Sequence, residues 1–403
     1  MKTPDVEVIL VNWNSREQTL QCIRAVEQQL GEVRDAQLTV VDNGSRDGSA
    51  SSIATHHPAV KLFALKENRG FTGALSAALA GSSSRLVVFL NNDALPEPGW
   101  LAALVTAIDR SPADVSSVGG KMVDPDGALI DFIGGMMTFD GHAFQEGFRY
   151  PLGERKEPAD GAELLFACGG NMISRRDALN ALGGFDDDYF AYLEDVDFGW
   201  RSWIAGYRVL FCPDAVVRHE SSSTSNRLGD FERGVLFERN ALQTVIKNYG
   251  EDTWREAAGA VFYSYLHRLH AYVTERNPRA LELKREPFAG SNDASGNGSP
   301  SLFARIRAKL TGPAPIAAID DPLTAMQFRA IDWIFTNEQR LAEKRVWVQG
   351  MRKRTDAEIF DRFPLAFVPT YPGDERLLSS QLFASLRPRL NSTTRKLGDI
   401  MRT

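Results

Sequence analysis

Residues 86–93 read LVVFLNND, five apolar residues followed directly by three polar ones. A short apolar run that ends in turn-forming residues is typical of a strand buried on both faces of a sheet. Two earlier runs, at 6–11 and 38–41, are followed in the same way by NWN at 12–14 and DNGS at 42–45. Each polar cluster alone also fits an ordinary turn. Together they indicate a ligand site, because the carboxyl ends of parallel strands meet at one edge of a sheet.

Helical patterns separate these strands, and a further strand is predicted at 60–65. The helices are predicted at 16–30 and 72–80. Ser15 is placed to cap the first helix, with Gln18 completing a capping box. Alternation of strand and helix with near-continuous apolar strands predicts an α/β domain in which helices flank a Rossmann-like, mostly parallel sheet.

The second half of the chain has a helical pattern. Residues 286–300 are poor in apolar residues and rich in Gly, Ser and Asn, which is typical of a flexible linker. We therefore expect an α/β domain at 1–250 and a mainly helical region at 251–403. Helices are predicted at 231–276, 323–354 and 377–386.

The charge is unevenly distributed. The whole chain of 403 residues carries a net charge of −6, which argues against nucleic acid as a partner. Residues 301–403 nevertheless hold 17 Lys and Arg against 11 Asp and Glu, including Arg352, Lys353 and Arg354. One interpretation is a solvated helical face with surplus Arg, on helices whose apolar residues serve packing. The alternative is a surface for an anionic membrane, a lipid diphosphate or a second subunit, so peripheral membrane contact and a homodimer stay open.

The cysteines and the apolar runs bear on the compartment. The three cysteines are far apart in sequence and form no C-x-x-C pair, which favours a reducing compartment. No apolar run approaches the ~18 residues that span a bilayer, and no signal peptide is recognised. We expect a cytoplasmic protein, with any membrane contact at the inner face of the plasma membrane.

Several nucleotide and hydrolase motifs are absent from the sequence: there is no P-loop, no G-x-G-x-x-G after a strand and no G-x-S-x-G. The candidate chemistry therefore lies in carboxylates, amides and a histidine. Asp93, at the end of its strand, suits Mg²⁺ or Mn²⁺, which take oxygen ligands and share their shell with phosphates. An Asx-turn leading to Pro96 is the structural alternative.

A second cluster, EDVD at 194–197, places three carboxylates in four residues between aromatic side chains. Clustered carboxylates repel each other, and one with a raised pKa can act as a general base. The alternative is an acidic helix N-terminus with Arg201 further along the same helix. His219 follows a strand-like run at 215–218; it is either a structural residue or a second metal ligand beside Asp93.

These motifs, taken in order, resemble the family 2 glycosyltransferases of the GT-A fold. The resemblance covers about residues 10–220, and no single motif in it is decisive. The matching stretches are VNWN at 11–14, VDNGSRDGS at 41–49, ENRGF at 67–71, LNND at 90–93, GGFD at 183–186, YLEDVD at 192–197, GYR at 206–208, PDA at 213–215 and His219.

The resemblance implies a role for each matching residue. It identifies Asp195 as the catalytic base, with Glu194 orienting it or contacting the acceptor. It identifies Asp93 and His219 as ligands of Mg²⁺ or Mn²⁺. Asn12 and the loop after the first strand would flank the nucleobase, with Asp42 holding its edge. The full set implied for donor binding is Asn12, Asn14, Asp42, Asn68, Arg69, Gly70, Asn92 and Asp93.

The chain departs from the family pattern at Asn91, where the D-x-D motif has a carboxylate. The Q-x-x-R-W signature of processive synthases is absent, and FGWRSW stands at 198–203 instead. The resemblance therefore implies an inverting enzyme that adds one or a few sugars from a dTDP- or UDP-sugar, with dTDP-rhamnose favoured. The expected acceptor is a glycan or lipid-linked glycan of the cell surface. Two alternatives are an inactive sugar-nucleotide-binding scaffold and a nucleotidyltransferase.

Overall fold

The structure is a computed structural model that describes residues 4–220, 229–275, 322–371 and 373–402. The predicted linker near 286–300 lies outside these residues. The strands are β1 (Val6–Asn12), β2 (Ala36–Asp42), β3 (Lys61–Ala64), β4 (Leu86–Asn91), β5 (Ala94–Pro96), β6 (Val115–Val123), β7 (Ile130–Phe132), β8 (Gly135–Met137), β9 (Ala143–Gln145), β10 (Glu163–Leu164), β11 (Asn171–Arg175), β12 (Arg208–His219), β13 (Leu365–Phe367) and β14 (Ser392–Thr394).

Helices flank the strands in the first half and predominate in the second. They are α1 (Arg16–Leu30), α2 (Ser49–His56), α3 (Gly70–Ala80), α4 (Trp100–Arg110), α5 (Arg176–Ala181), α6 (Glu194–Ile204), α7 (Asp230–Asn248), α8 (Glu251–Glu275), α9 (Pro322–Thr336), α10 (Glu338–Gly350), α11 (Asp356–Arg362), α12 (Asp374–Leu378), α13 (Gln381–Leu386) and α14 (Leu397–Ile400).

The central sheet has the order β10-β12-β6-β11-β4-β1-β2-β3. Strands β4, β1, β2 and β3 are parallel neighbours, and β12 pairs in parallel with β6. Strand β11 runs antiparallel between β4 and β6. The predicted α/β fold with a mostly parallel sheet is confirmed. Its strand ends at β1, β2 and β4 lie at one edge, as the polar clusters predicted.

One hydrophobic core includes both the sheet and the helices that follow it. The Trp200 ring of α6 contacts the edges of Tyr249 and Phe360, with ring centroids 5.0 and 5.4 Å apart. Phe360 belongs to α11, so residues far apart in sequence bury their apolar surface together. This shared burial fixes the position of the later helices relative to the sheet.

Several predicted local features are wrong. In the described residues at the start of α1, the Ser15 side chain makes no capping hydrogen bond. The backbone N–H of Arg16 instead donates to Oδ2 of Asp47 at 2.9 Å, so a tertiary contact replaces the predicted capping box. The helix predicted at 231–276 is broken at Tyr249, whose backbone is extended, and becomes α7 and α8.

The other two long helical predictions also divide. The run predicted at 323–354 becomes α9 and α10, separated at Asn337. The side-chain amide of Asn337 donates to the carbonyl of Trp333 at 2.8 Å at the end of α9. The run at 377–386 becomes α12 and α13, where the side chain of Ser380 caps the second helix. Side-chain bonds to the backbone therefore set helix ends that apolar periodicity alone does not show.

The basic residues 352–354 are engaged in packing. The guanidinium of Arg352 donates to Oδ1 of Asp356 at 3.0 Å, and that of Arg354 donates to the carbonyl of Gly206 at 3.0 Å. The backbone N–H of Lys353 donates to Ile204 at 2.8 Å. These contacts favour the packed-face interpretation of this segment. Across the described helices, none is long and apolar enough to cross a membrane.

Candidate active site

A cleft of about 550 Å³ opens where β1, β2 and β4 end. The predicted site residues that line it are Asn68, Gly70, Asn92, Asp93, Glu194, Asp195 and His219. Trp13 and Asn43 also line the cleft. Trp13 lies in the loop that was expected to flank the nucleobase, whereas Asn43 was assigned no role. Both belong to the polar clusters after β1 and β2, so the signal that could have found them was present. The structure thus brings predicted residues from four separate stretches into one cavity.

Asn12 and Asp42 lie beneath the cleft. The parallel register of β1 and β2 places them opposite each other, and Nδ2 of Asn12 donates to Oδ1 of Asp42 at 2.7 Å. Oδ1 of Asn12 accepts from the hydroxyl of Thr19 at 2.7 Å. Both residues are buried. They hold the strand ends and the loops above them together.

The predicted residue Asn14 lies in the loop after β1 with φ of 52°. Its backbone N–H donates to Oγ of Ser45, and its own Oδ1 accepts from the backbone of Arg46 at 2.7 Å. Asn14 therefore ties the loop after β1 to the loop after β2. Asn92, also predicted, donates to the hydroxyl of Thr19 at 2.8 Å and is mostly buried.

Asn43 organises the next part of the rim. Its Nδ2 donates to Oδ1 of Asn68 at 2.9 Å and to the carbonyl of Gly70 at 3.0 Å, and its Oδ1 accepts from the backbone N–H of Arg69. Gly70 has φ of +75°, and a Cβ there would lie 2.5 Å from the carbonyl oxygen of Phe190. Only glycine fits this close approach of two loops. The predicted residues at 68–70 are thus brought together by a side chain that was not predicted.

His219 meets Asp93 because β12 pairs with β5 and places His219 opposite Ala94. Nε2 of His219 lies 3.2 Å from Oδ1 of Asp93, and Nδ1 lies 2.5 Å from Oδ2 of Asp131. Burial opposes the charged imidazolium, but the hydrogen bonds to Asp131 and Asp93 raise the pKa of His219 to about 10. Sequence reasoning missed Asp131, an acidic residue between apolar neighbours in β7.

The chemistry of this cluster suits a divalent cation. Asp93 offers a carboxylate and His219 an imidazole nitrogen on the same side of the cleft, and Asp131 bonds the other imidazole nitrogen. A carboxylate on the second nitrogen is the usual partner of a ligating histidine. As arranged, His219 lies between the two carboxylates; across the ranges that the structure describes, no three His, Cys, Asp or Glu side chains converge on one point. Two protein ligands, with phosphate oxygens and water, are a normal shell for Mg²⁺ or Mn²⁺.

Glu194 and Asp195 begin α6 after a strained loop. Phe190, Tyr192 and Leu193 have positive φ values of 64°, 71° and 62°. Non-glycine residues in this region cost energy and persist where surrounding contacts hold them. The side-chain amide of Asn240 in α7 supplies such contacts, donating to the carbonyls of residues 189, 191 and 192 at 3.0, 2.8 and 2.8 Å. The loop thereby places the carboxylates of Glu194 and Asp195 in the cleft.

The two carboxylates differ in their hydrogen bonds. Asp195 accepts from the backbone N–H groups of Gly169 and Val196 at 3.1 and 2.8 Å. Oε2 of Glu194 is buried and accepts no hydrogen bond from the described residues. Burial raises the pKa of both groups, and the negative charge of Asp195 adds to the rise at Glu194. Asp195 is therefore the better placed of the two to carry the shared negative charge.

Asp197 has a structural position. It is fully buried, and its carboxylate pairs with Nε of Arg201 at 2.8 Å and with Nζ of Lys247 at 3.1 Å. Burial alone would raise its pKa, but the two cations hold that pKa below the usual range. The alternative interpretation of this cluster, an acidic helix start paired with Arg201, applies to Asp197. Glu194 and Asp195 face the cleft.

The sheet order and the cleft at the strand ends are those of the GT-A fold. A solved structure of GalNAc-T7 with UDP, GalNAc and Mn²⁺ shares the fold, with a TM-score of 0.50 and 16% identity; the match covers 64% of this chain and 50% of that chain. The part of this chain that matches thus spans half the length of that solved chain.

Two family models match the sequence. Residues 7–183 match the model "Glycosyl transferase family 2", and residues 159–267 match "Glycosyl transferase family group 2". The chain belongs to the family 2 glycosyltransferases, enzymes that transfer a sugar from a nucleotide donor.

Two curated relatives each resemble part of the chain. N-acetylglucosaminyl-diphospho-decaprenol L-rhamnosyltransferase of Mycobacterium tuberculosis is 28% identical over 218 residues, which is 48% of this chain and 69% of that protein. O-antigen biosynthesis protein RfbC of Myxococcus xanthus is 33% identical over 150 residues, 35% of this chain and 11% of that protein. Both matches concern less than half of this chain.

Proposed function

We propose that this protein is an inverting glycosyltransferase that moves a sugar from a dTDP- or UDP-sugar, with dTDP-rhamnose favoured, to a hydroxyl of a glycan or lipid-linked glycan in cell-surface polysaccharide or glycolipid biosynthesis. The observation that carries the proposal is the single cleft that holds both the Asp93–His219 pair and Asp195. The M. tuberculosis relative supports rhamnose as the transferred sugar.

The donor nucleotide would lie along the ends of β1, β2 and β4. Trp13 lines the cleft and offers an aromatic face for the base. Asn68 offers its side-chain NH2 group to the ribose or the donor sugar, and Asn43 holds Asn68 in place by donating to its Oδ1. Asn12 and Asp42 would act indirectly, by fixing the two loops that carry Trp13 and Asn43, because both are buried and bonded to each other.

Asp93 and His219 would hold Mg²⁺ or Mn²⁺. The cation would neutralise charge on the diphosphate leaving group. An imidazole ligand favours Mn²⁺ over Mg²⁺, and Asn91 in place of a carboxylate leaves the protein with fewer negative ligands. Asp131 would fix the orientation of the His219 ring and the nitrogen that carries its proton.

Asp195 would remove the proton of the acceptor hydroxyl as that oxygen attacks the anomeric carbon. Its two backbone donors and its place at the N-terminus of α6 stabilise the ionised form, and burial raises its proton affinity above that of an ordinary carboxylate. Glu194 has its pKa raised in part by Asp195, so it would be protonated beside an ionised Asp195. A neutral Glu194 can donate a hydrogen bond to the acceptor. A single displacement of this kind inverts the anomeric centre.

The experiment that tests the donor site is a thermal-shift series with UDP, dTDP, GDP and their sugars, with and without Mn²⁺. We expect selective stabilisation by UDP or dTDP and their sugars that Mn²⁺ increases. The absence of stabilisation by every nucleotide would favour the inactive scaffold. Release of nucleoside diphosphate from the bound sugar nucleotide separates an enzyme from a scaffold. Formation of a sugar nucleotide from nucleoside triphosphate and sugar 1-phosphate would instead indicate a nucleotidyltransferase.

The remaining predictions concern partners and organisation. The division at about residue 250, peripheral membrane contact, a homodimer and a cytoplasmic location stay predictions. Liposome co-sedimentation and the mass of the protein in solution test the second and third. The contacts of Arg352 and Arg354 with the protein's own backbone favour a packing role for that segment over a membrane role.

A further inference from the structure

One side of the cleft is apolar and contributes little to the proposed donor site. It consists of the side chains of Phe132, Phe144, Phe148, Phe166 and Met401, here called the aromatic wall. The rings of Phe132 and Phe166 are buried and have centroids 6.0 Å apart, whereas Phe144, Phe148 and Met401 are half-buried. Half-buried apolar groups that line an open cleft are typical of a ligand surface.

The aromatic wall adjoins the proposed base. Phe166 and Gly169 lie in the short segment between β10 and β11, and the N–H of Gly169 donates to the carboxylate of Asp195. Cys168, between them, also lines the cleft. A ligand whose hydroxyl reaches Asp195 therefore continues against Phe166 and its neighbours.

The loop that carries Phe144 and Phe148 is hydrogen-bonded to residues 392–402, here called the strap. The backbone N–H of Gly147 donates to the carbonyl of Ile400 at 2.8 Å, and the N–H of Arg402 donates to the carbonyl of Phe148 at 2.9 Å. These bonds fix the loop. They also place Met401, which lies between Ile400 and Arg402, in the aromatic wall.

Side chains reinforce this attachment. The guanidinium of Arg395 donates two hydrogen bonds of 2.8 Å to the carboxylate of Glu146, a planar pairing with a defined orientation. Phe144 and Leu397 of the strap both pack against a small hydrophobic cluster that includes Ile400 of the strap. The aromatic wall is thus built before a ligand arrives, which lowers the ordering cost of binding.

We infer that the aromatic wall receives an apolar aglycone, alkyl or aryl, of the acceptor glycoside, and that the strap positions the wall. The inference rests on the proposed function, because Asp195 as base places the reacting hydroxyl beside the wall. A subsite for an additional sugar would offer several polar groups to its hydroxyls. Within the described loop 143–150, Gln145 is the polar side chain that lines the cleft, beside Ala143 and two phenylalanines.

The test compares octyl β-D-glucopyranoside, below its micellar concentration, with methyl β-D-glucopyranoside in the presence of UDP and Mn²⁺. Calorimetry measures the affinity of the full chain for each. We expect the octyl glycoside to bind at least about tenfold more tightly, since each buried methylene favours binding. Phe148→Ala and Met401→Ala should remove most of this preference. The matched control is Phe335→Ala, which removes an exposed phenylalanine of α9 and should leave the preference unchanged.

Arg395→Ala tests the strap. It should weaken octyl glycoside binding and increase hydrogen exchange at 143–150, with UDP binding unaltered. Arg110→Ala, which breaks the surface pair with Asp160, should change neither. Equal affinities for the two glycosides, or an octyl preference that survives Phe148→Ala and Met401→Ala, would overturn the inference. UDP binding is measured in the same samples. If the unmodified chain does not bind UDP, that result counts against the proposed function and not against this inference.

Discussion

The backbone N–H of Gly169 donates a hydrogen bond of 3.1 Å to Oδ2 of Asp195. This bond joins the segment before β11 to the start of α6, and it fixes the direction of the carboxylate within the cleft. The second oxygen of Asp195 accepts from the N–H of Val196 at 2.8 Å. Both donors are backbone groups, so the orientation of the carboxylate does not rest on hydrogen bonds from another side chain.

Asp195→Asn should lower kcat by about 10² to 10⁴-fold, because the amide keeps the shape of the side chain and cannot accept a proton. Nucleotide affinity should be unchanged. Initial rates of sugar transfer and UDP or dTDP affinity are the measurements. Asp177→Asn, which alters an exposed carboxylate in the first turn of α5, is the control and should retain full activity. Near-normal turnover of Asp195→Asn would show that another group is the base.

Asp93→Asn changes a proposed ligand of the cation, and Asp131→Asn changes the residue that supports the other ligand, His219. Asp93→Asn should abolish the increase in nucleotide stabilisation that Mn²⁺ produces. Asp131→Asn should weaken Mn²⁺ affinity by about 10 to 100-fold, because Asp131 bonds the far nitrogen of His219. Titration of Mn²⁺ against the UDP-bound protein measures both. If both variants bind nucleotide like the unaltered protein, with and without EDTA, no cation is held there.

Asp197→Ala should lower the free energy of unfolding by about 3 to 5 kcal/mol, because it leaves the buried cations of Arg201 and Lys247 without that carboxylate. Urea denaturation monitored by tryptophan fluorescence measures the change. Removal of the exposed carboxylate in Asp252→Ala is the comparison and should cost little. Equal stability of the two variants would contradict a structural role for Asp197.

His142 predicts a pH dependence of stability. Burial opposes its charge, but Asp140 and Glu238 raise its pKa from 6.5 to about 9. A pKa raised on folding contributes stability that is fully present below pH 6.5 and is lost as the pH rises through 9. The contribution is about 3 kcal/mol at most.

The measurement for His142 is urea unfolding of the unaltered protein and of His142→Gln at several pH values. Arg268, which pairs with Asp140 at 3.0 Å, is present in both proteins, so its effect cancels in the comparison. The stability difference should shrink between pH 6.5 and 9. A difference that does not vary with pH would show that His142 is neutral in the folded protein.

The sheet could be predicted from the sequence because strand and helix periodicity is local. The helix at 16–30 has the predicted bounds, and the strand of residues 86–90 extends by one residue to Asn91. The capping box at Ser15 failed because Asp47, distant in sequence, supplies the hydrogen bond to the first turn. Local pattern cannot reveal a partner that only the tertiary fold brings near.

The candidate site was predictable only where its residues lie in ordered motifs. Asp93, Asp195 and His219 do, and the fold brings them into one cleft. Asp131 was missed because a short strand in a loop-rich region carries it, 88 residues before the histidine that it contacts. Met401 was missed because only the backbone bonds between the strap and the loop at 143–150 bring it to the cleft. Both depend on pairings across the fold that leave no periodic signal.

The three hydrogen bonds from Asn240 to the loop before Asp195 bear on how such enzymes can be recombined. The loop geometry that aims the base depends on α7, which follows the last strand of the central sheet. A chimera that exchanged everything after β12 would carry the acidic cluster without its support. Recombination with a relative should therefore place the crossover beyond Asn248, so that the helix and the loop are inherited together.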